Sequence, residues 1–420
     1  LIVERVNMKK IFLIIIIVII LLAFRDINNT YNKLYTKVED EIVYIDELYT
    51  YGRYLNIKGH SNFELNNPEL ILLNDKLDEK NYKLNSNEKF FYITDKINDG
   101  INLETINESY TILIKNNEKF YTLKNKTNYQ ETEYYSLSKQ NKTNHITLLF
   151  ETFKDKTFLK LKLKNIDTPD NIYDIVIDPG HGGGDVGAVN GNIYESNINL
   201  SISLKLKQKL KNNGFKVKLT RENNTNISPY GKQGRATLPY ETKAKLFLSV
   251  HVNSAPSSII KGGIEVYAAP NMNYDFAYNI ADKIRQYANT TFSPLQTYKI
   301  KNGVYVKTLS NYDIESSKKE AKQNGYKYYE NITTNTPWYF YNRETGGYMT
   351  GAYMDGRNKA YPKNDYYNSN MGIESYLLEL GYINCKNDFN NLLNNQDGYV
   401  TGIVKALTEN LKWWKSLFLL

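Results

Sequence analysis

The pattern of apolar residues changes near residue 168, and this change constrains the fold more than any other feature. From about 38 to 165, short runs of β-branched and aromatic residues recur between polar turns, and Phe158–Leu163 alternates leucine with lysine. After Thr168-Pro169-Asp170, which we interpret as a linker, strand-like segments alternate with amphipathic helical ones. The first pattern predicts an all-β, sandwich-like domain over 38–165. The second predicts an α/β domain over 172–416, with a mostly parallel twisted sheet and helices on both faces.

The α/β part has strands and helices at short spacing until it is interrupted once. The expected strands are Ile175–Asp178, Phe215–Thr220, Leu246–His251, Gly263–Ala268, Val304–Val306 and Glu374–Leu380, and the expected helices are Ser196–Asn212, Thr237–Lys245, Ala277–Ala288 and Tyr399–Trp413. Between 308 and 371 the alternation stops in a stretch rich in Tyr, Asn and Lys. A loop of this length in a compact domain is usually functional, so we interpret it as an insert that forms a lid or a substrate wall.

Segment 8–25 has the pattern of an export signal. Met8-Lys9-Lys10 precedes the almost wholly aliphatic run Ile11–Phe24, which is typical of a secretory signal or signal-anchor. As a helix this run would rise about 21 Å, short of the roughly 30 Å hydrocarbon core, which favours a signal peptide. The lack of a pair of small residues after the run opposes cleavage. We expect an N-terminal membrane helix, as an uncleaved anchor in preference to a cleaved signal, with the downstream chain extracytoplasmic.

Cysteine and histidine usage limits the chemistry that is available. The chain has four histidines, His60, His145, His181 and His251, and a single cysteine, Cys385. These counts exclude an intramolecular disulfide, a cysteine-rich metal site and a redox CxxC pair. His60 and His145 have no neighbours at ligand spacing, so we expect the β domain to serve spacing or attachment. The net charge of +8 comes from scattered lysines, and with no base-stacking motif we expect no nucleic-acid partner.

Two histidines and two glutamates occupy the ends of predicted elements in the α/β part. His181 follows the first strand, His251 ends the third, Glu195 begins the first helix and Glu379 ends a later strand. In an open parallel sheet these positions can converge on one edge. Two histidines and one carboxylate are the ligand set of a hydrolytic Zn²⁺ site, and a further carboxylate can be its general base. Each residue also has a purely structural explanation, and Glu374 competes with Glu379 as the base.

The glycines around His181 allow a second interpretation. Gly182, Gly184 and Gly187 form a GxGxxG pattern directly after a strand, as in dinucleotide-binding loops. Such a loop requires a helix that opens at the glycines, so that its N-terminus meets the pyrophosphate. Here Val189–Asn192 intervene, and the helix cannot begin before about Glu195. We therefore favour the metal site.

Several motifs occur together, in one order, between about 173 and 414. They are Ile175–Asp185 (IVIDPGHGGGD), Glu195 with Asn199-Leu200, Val217–Arg221 (VKLTR), Arg235, Leu246–Ser254 (LFLSVHVNS), Gly263–Tyr267 (GIEVY) and Leu377–Asn384 (LLELGYIN). In order and spacing this set resembles the zinc-dependent N-acetylmuramoyl-L-alanine amidases of the amidase-3 type. The resemblance implies Zn²⁺ ligands at His181, Glu195 and His251 and a catalytic carboxylate at Glu379. Arg221, Arg235, Asn253 and Glu265 also match, and we interpret them as residues that support the site.

The resemblance also implies a function, with two departures. It implies an exported peptidoglycan hydrolase that uses zinc-activated water to cleave the amide between N-acetylmuramic acid and L-alanine, either anchored to the membrane by its N-terminal helix or secreted to the cell wall. Anionic wall polymers would suit the basic surface. Cys385 replaces a family asparagine, and the insert at 308–371 is longer than usual, which leaves substrate preference open. A catalytically inactive wall-binding or regulatory module and another exported zinc peptidase stay as alternatives.

Overall fold

The computed structural model describes residues 32–125, 132–229, 232–256, 262–323, 333–339, 342, 345 and 372–411. The predicted export segment at 8–25 lies outside the described residues, as do much of the insert at 308–371 and positions 412–416 of the predicted α/β domain. Within the described ranges, no helix has the length and apolar character needed to cross a membrane.

The first part of the chain forms two β-sheets that face each other. Their strands are β1 (Val43–Tyr51), β2 (Tyr54–Ser61), β3 (Glu69–Leu73), β4 (Glu79–Lys83), β5 (Asn85–Asn87), β6 (Phe90–Tyr92), β7 (Ile101–Asn102), β8 (Tyr110–Asn116), β9 (Lys119–Tyr121), β10 (Leu123–Asn125), β11 (Thr132–Tyr135), β12 (Lys142–Phe153) and β13 (Lys156–Asp167). One sheet has the order β10-β1-β2-β6-β5 with β7 beside β2, and the other has the order β11-β12-β13-β8-β3-β4 with β9 beside β8. Side chains from both, among them Ile57 and Ile112, share one apolar core. The expected β-rich, sandwich-like region is therefore present.

The second part contains a seven-stranded mixed sheet. Its strands, with the small hairpin of β15 and β16, are β14 (Ile175–Pro179), β15 (Val189–Asn190), β16 (Ile193–Tyr194), β17 (Val217–Leu219), β18 (Leu246–Asn253), β19 (Glu265–Tyr267), β20 (Lys299–Lys301), β21 (Val304–Tyr305) and β22 (Glu374–Tyr382). The order is β17-β14-β18-β22-β19-β21-β20. The first four strands are parallel, whereas β19 is antiparallel to β22 and β20 to β21. The prediction of a mostly parallel sheet is confirmed, with a reversal at β19.

Three long helices lie on one face of this sheet. The second part of the chain includes the helices α1 (Glu195–Asn212), α2 (Leu238–Glu241), α3 (Asp275–Tyr287), α4 (Asn311–Gln323), α5 (Lys386–Asn394) and α6 (Gln396–Leu411). Apolar side chains of α1, α3 and α6 share one core with the sheet. On the other face, Leu238 of the short α2 packs against Val176 and Phe247, and Tyr267 packs with Tyr305.

The expectation of helices on both faces is therefore correct only in part. The predicted helix Thr237–Lys245 is reduced to Leu238–Glu241, and Lys243 beyond it has φ 49° and cannot continue a right-handed helix. Helices α4 and α5 were not predicted from the sequence. In α5 only two side chains, Asp388 and Leu392, are buried, so the helical apolar periodicity is weak.

Candidate active site

Two buried arginines hold the turn that follows β14. Arg221 donates hydrogen bonds to the carbonyl oxygens of Pro179 (2.9 Å) and Gly180 (2.8 Å). Arg235 donates to the Asp178 carboxylate (2.6 Å) and to the Pro179 carbonyl oxygen (2.8 Å). Buried carbonyl and carboxylate oxygens are stabilised when each has a donor, and a charged donor is the stronger kind. The two arginines therefore support the turn, and His181, the residue that follows Gly180, lies at the edge of the sheet.

Glycines let the backbone approach the side chains at this edge. A Cβ at Gly180 would lie 2.3 Å from Cε1 of His251, and a Cβ at Gly187 would lie 2.6 Å from Oε2 of Glu195. Gly187 also has φ +67°, and His181 itself has φ 61°, which is uncommon for a residue with a side chain. Because α1 begins at Glu195, after the β15–β16 hairpin, these glycines do not open a helix as a dinucleotide loop would.

His181, Glu195 and His251 come together at the carboxyl edge of β14 and β18. One ligand atom from each residue lies within 4.8 Å of the other two. Nε2 of His181 is 3.2 Å from Oε1 of Glu195, and Nδ1 of His251 is 3.1 Å from the same oxygen. Ligands about 2.1 Å from a tetrahedral zinc ion are roughly 3.4 Å apart, so these separations and donor types fit Zn²⁺.

Glu195 is the electrostatic centre of this cluster. Its two oxygens accept hydrogen bonds from the backbone N–H groups of Ala188 (2.9 Å) and Val252 (3.0 Å). Burial alone would raise the pKa of Glu195, but the hydrogen bonds and charges of His181 and His251 lower it well below the usual range. Burial works against the charge on His181, yet its carboxylate neighbours raise the pKa of that imidazole. An ionised oxygen between two imidazoles is an arrangement that a divalent cation stabilises.

Asp185 orients one of the imidazoles, a role that the sequence analysis missed. Its Oδ2 lies 2.8 Å from Nδ1 of His181, which leaves Nε2 of that ring facing Glu195. Burial raises the pKa of Asp185, but the hydrogen bond and charge of His181 outweigh this and lower it. A carboxylate on the outer nitrogen is the usual partner of a metal-binding histidine. The available signal was the position of Asp185 four residues after His181 in a glycine-rich turn.

Glu379 lies next to the cluster with one oxygen unpaired. Residue 379 is opposite His251 in the pairing of β18 with β22. The side chain of Glu379 is 7 % exposed, and its Oε2, like Nε2 of His251, has no hydrogen-bond partner among the described residues. Burial, followed by the charges of Glu195 and Glu265, raises the pKa of Glu379 well above its usual value. Buried polar atoms are rarely left unpaired outside functional sites, so the unpaired oxygen of Glu379 fits a role in the reaction at this edge.

Glu265 faces Glu379 from the neighbouring strand. The two residues are paired across β19 and β22. The Glu265 carboxylate accepts hydrogen bonds from Asn253 Nδ2 (3.2 Å), Tyr267 Oη (2.7 Å) and Tyr382 Oη (2.6 Å). Three donors thus satisfy the carboxylate oxygens of this fully buried side chain. Asn253 and Glu265, which the sequence analysis interpreted as supporting residues, thus lie beside the candidate base.

The other candidates lie away from this edge. Glu374, the competitor of Glu379, is at the opposite end of β22 and forms an ion pair with Arg53 (3.2 Å). In the β-rich region His60 interacts with Asp46 (2.7 Å), and His145 stacks on a tyrosine ring 4.5 Å away. The structure thus separates two histidines and one glutamate from the four residues that it brings together.

The α/β part of the chain is similar to known proteins. Residues 175–409 match the Amidase_3 family model, described as N-acetylmuramoyl-L-alanine amidase. The germination-specific N-acetylmuramoyl-L-alanine amidase of Bacillus subtilis (strain 168) is 32 % identical over 129 residues, which cover 28 % of this chain and 54 % of that protein. N-acetylmuramoyl-L-alanine amidase LytC of the same organism is 36 % identical over 124 residues, covering 30 % of this chain and 22 % of that protein. The chain thus spans about half of the first relative and about a fifth of the second.

A solved structure also aligns with the chain. The catalytic domain of the amidase CwlV from Bacillus (Paenibacillus) polymyxa var. colistinus covers 57 % of this chain and 99 % of its own, with 23 % identity and a TM-score of 0.37. The family match, which covers more than half of the 420 residues, includes all four residues at the edge of the sheet. The chain therefore belongs to the Amidase_3 family of N-acetylmuramoyl-L-alanine amidases.

Proposed function

We propose that this protein is a zinc-dependent amidase that hydrolyses the bond between N-acetylmuramic acid and the L-alanine of the peptidoglycan stem peptide. The observation that carries the proposal is the unpaired carboxylate oxygen of Glu379 beside the cluster of His181, Glu195 and His251. A metal-binding cluster alone would serve a binding protein equally well. Hydrolysis additionally needs a base at the same place, and Glu379 supplies one. Membership of the amidase family supports the choice of bond.

His181, Glu195 and His251 would hold the metal and leave a position for water or substrate. When bound, Zn²⁺ supplies a Lewis acid that polarises the scissile carbonyl and lowers the pKa of a bound water. A positive charge at this place also favours the ionised form of Glu379, against the repulsion that raises its pKa in the protein alone. Glu379 would then be ionised, and able to act as a base, when the metal is bound.

Glu379 would carry the proton through the reaction. It accepts the proton of the attacking water at Oε2, its unpaired oxygen, while the water oxygen bonds to the carbonyl carbon of the lactyl group. The C–N bond then breaks, and Glu379 returns the proton to the leaving amine. The products are a muramic acid carboxylate and a stem peptide with a free L-alanine amino group. The strand that carries Glu379 limits its movement between the two transfers.

Digestion of purified sacculi with the full chain tests the bond that is cut. We expect stem peptides that begin with a free L-alanine amino group, identified by fragment mass, and no such product after treatment with a chelator. Fragments cut within the stem peptide would instead support an exported zinc peptidase. Binding to sacculi without any product would support a wall-binding or regulatory module. Either of these outcomes would contradict the proposed activity.

Asp185→Asn is expected to weaken zinc binding by about 10–100-fold, because the amide no longer fixes the His181 ring by a charged hydrogen bond. Competition with a chelating dye measures the dissociation constant. Asp397→Asn is the matched control, since Asp397 is also an exposed acid in an ion pair but lies on α6. Equal zinc affinity of Asp185→Asn and the wild type would contradict this role of Asp185.

We also propose that the protein acts outside the cytoplasm at the cell wall. Export is supported by the pattern of segment 8–25, which would be a signal-anchor or signal peptide ahead of a β domain (38–165) and a catalytic domain (172–416) with its insert (308–371). The net charge of +8 would favour contact with anionic wall polymers. Action on the wall is consistent with a family whose description names a peptidoglycan bond.

A further inference from the structure

The tip of the β1–β2 hairpin enters the amino-terminal end of the amidase sheet. Tyr51 is 2 % exposed and belongs to the apolar core that the sheet shares with its helices. The Gly52 N–H donates a hydrogen bond to the Gly372 carbonyl oxygen (3.1 Å). A Cβ at Gly52, where φ is +54°, would lie 3.1 Å from the backbone nitrogen of Glu374. The hairpin tip therefore packs directly against the start of β22.

The next residue of the hairpin forms a buried ion pair with β22. Nε of Arg53 is 3.2 Å from Oε2 of Glu374, and the side chains are 6 % and 1 % exposed. Asn98 (3.3 Å) and Tyr376 (3.2 Å) donate to the other carboxylate oxygen of Glu374. Arg53 also donates to the carbonyl oxygen of Asn410 in α6 (2.9 Å). Two groups of the β-rich region thus compensate the burial of the Glu374 charge.

The burial pattern of strand β22 does not by itself set the register of the strand. All nine residues from Glu374 to Tyr382 are buried, so the strand lacks the apolar–polar alternation that usually sets register. A slip of one residue would place a leucine opposite His251 and would turn Glu379 to the face covered by the helices. The cost of burying the Glu374 carboxylate is offset only when its hydrogen-bond donors are next to it. A slipped strand would move Glu374 away from Arg53, so the ion pair disfavours the slipped register.

We infer that Arg53, assisted by Asn98, is a positioning residue for the reaction. It holds the first residue of β22 and thereby sets Glu379, about 16 Å further along the strand, opposite His251. The β-rich region then has a role within the amidase itself, beyond the spacing or attachment expected from sequence. The expected effect of Arg53 on the reaction rate rests on the function proposed for Glu379. The expected effect of Arg53 on the position of β22 is independent of that proposal.

Arg53→Met in the full chain tests this role by three measurements. Hydrogen exchange, followed by mass spectrometry, is expected to be faster at the backbone amides of β22. The value of kcat on soluble muropeptides is expected to fall by about 10–100-fold with KM unchanged, because displacement of a catalytic group by about 1 Å has this order of effect. Zinc affinity is expected to stay unchanged, because none of the proposed ligands lies on β22: His181 follows β14, Glu195 begins α1 and His251 lies on β18. Arg53→Lys, which keeps the charge, is expected to restore part of kcat.

Two further variants separate positioning from general stability. Arg53→Met combined with Glu374→Met removes both charges, and it avoids an unpaired buried carboxylate if the single variant does not fold. Because this double variant also lacks the ion pair, we expect the backbone amides of β22 to exchange fast in it as well. Ile112→Ala removes a core side chain of the sandwich and is expected to lower Tm while β22 exchange and kcat stay at wild-type values.

The inference is overturned if β22 exchanges at the wild-type rate in both variants that remove the Arg53 charge. It is also overturned if Ile112→Ala lowers kcat as much as Arg53→Met does, because general loosening would then explain the loss. If the wild type hydrolyses no muramoyl amide, the proposed function fails, and the exchange measurements alone still decide whether Arg53 holds β22.

Discussion

Glu379→Gln is expected to lower the rate of amide hydrolysis by about 10²–10⁴-fold, which is the usual contribution of a positioned general base. Glutamine keeps the shape of the side chain but cannot accept the proton of the attacking water. Zinc content is expected to stay at the wild-type level, because the cluster of His181, Glu195 and His251 is complete without Glu379. Release of free amino groups from sacculi and elemental analysis of zinc are the two measurements.

The control for this variant is Glu409→Gln, which changes an exposed carboxylate on α6 that pairs with Lys283. It is expected to keep both activity and zinc. Wild-type hydrolysis by Glu379→Gln would remove Glu379 from the mechanism, and loss of zinc would mean that the residue contributes to metal binding instead.

The same variant is expected to stabilise the metal-free protein above about pH 4.3, the ordinary pKa of glutamate. Burial and the charges of Glu195 and Glu265 raise the pKa of Glu379 in the folded state. The folded chain therefore holds a proton that the unfolded chain releases, and the stability from this group, complete at low pH, is lost as the pH rises through the raised pKa. Glutamine does not titrate, so the gain in Tm over wild type should increase with pH after chelation. If the metal-free wild type and metal-free Glu379→Gln had the same Tm at every pH, the raised pKa of Glu379 in the folded protein would be contradicted.

Removal of the metal is expected to reduce hydrolysis to background and to be reversed by added Zn²⁺. His251→Ala removes one of three candidate ligands. Loss of a residue that only orients a ligand weakens metal binding by up to roughly 100-fold, and we expect His251→Ala to weaken zinc binding by more than this. His251 contributes the nitrogen that faces Glu195 at 3.1 Å, and Gly180 has no side chain to fill the space left by the ring. Chelator competition and activity on sacculi measure the two effects.

His145→Ala is the matched control for the metal experiments. His145 stacks on Tyr135 at 4.5 Å in the β-rich region, far along the chain from the cluster. Zinc affinity and hydrolysis are expected to be the same as in the wild type. Full activity of the chelated protein, or equal zinc affinity of His251→Ala and His145→Ala, would contradict the zinc site.

Many elements near the site could be predicted because their signals are local. β14 begins with the apolar run Ile175–Ile177 and β18 with Leu246–Leu248, and a histidine comes within four residues after each run, so the convergence of His181 and His251 follows from parallel pairing. The start of α1 at Glu195 follows from the polar residues before it. The reversal at β19 could not be predicted, because a buried strand of three residues carries no record of its direction. The early end of α2 at Glu241 could not be predicted either, because the positive φ of Lys243 is seen only in the folded chain.

The sequence by itself determined the two-part organisation and singled out the four residues that we propose for the site, since apolar periodicity and motif order act over a few neighbouring residues. Tertiary structure alone decided that Glu265 faces Glu379. It also decided that Arg53 meets Glu374, a residue 321 positions away. The geometry of a buried charge depends on which distant donors surround it, and no local pattern in the chain encodes that choice.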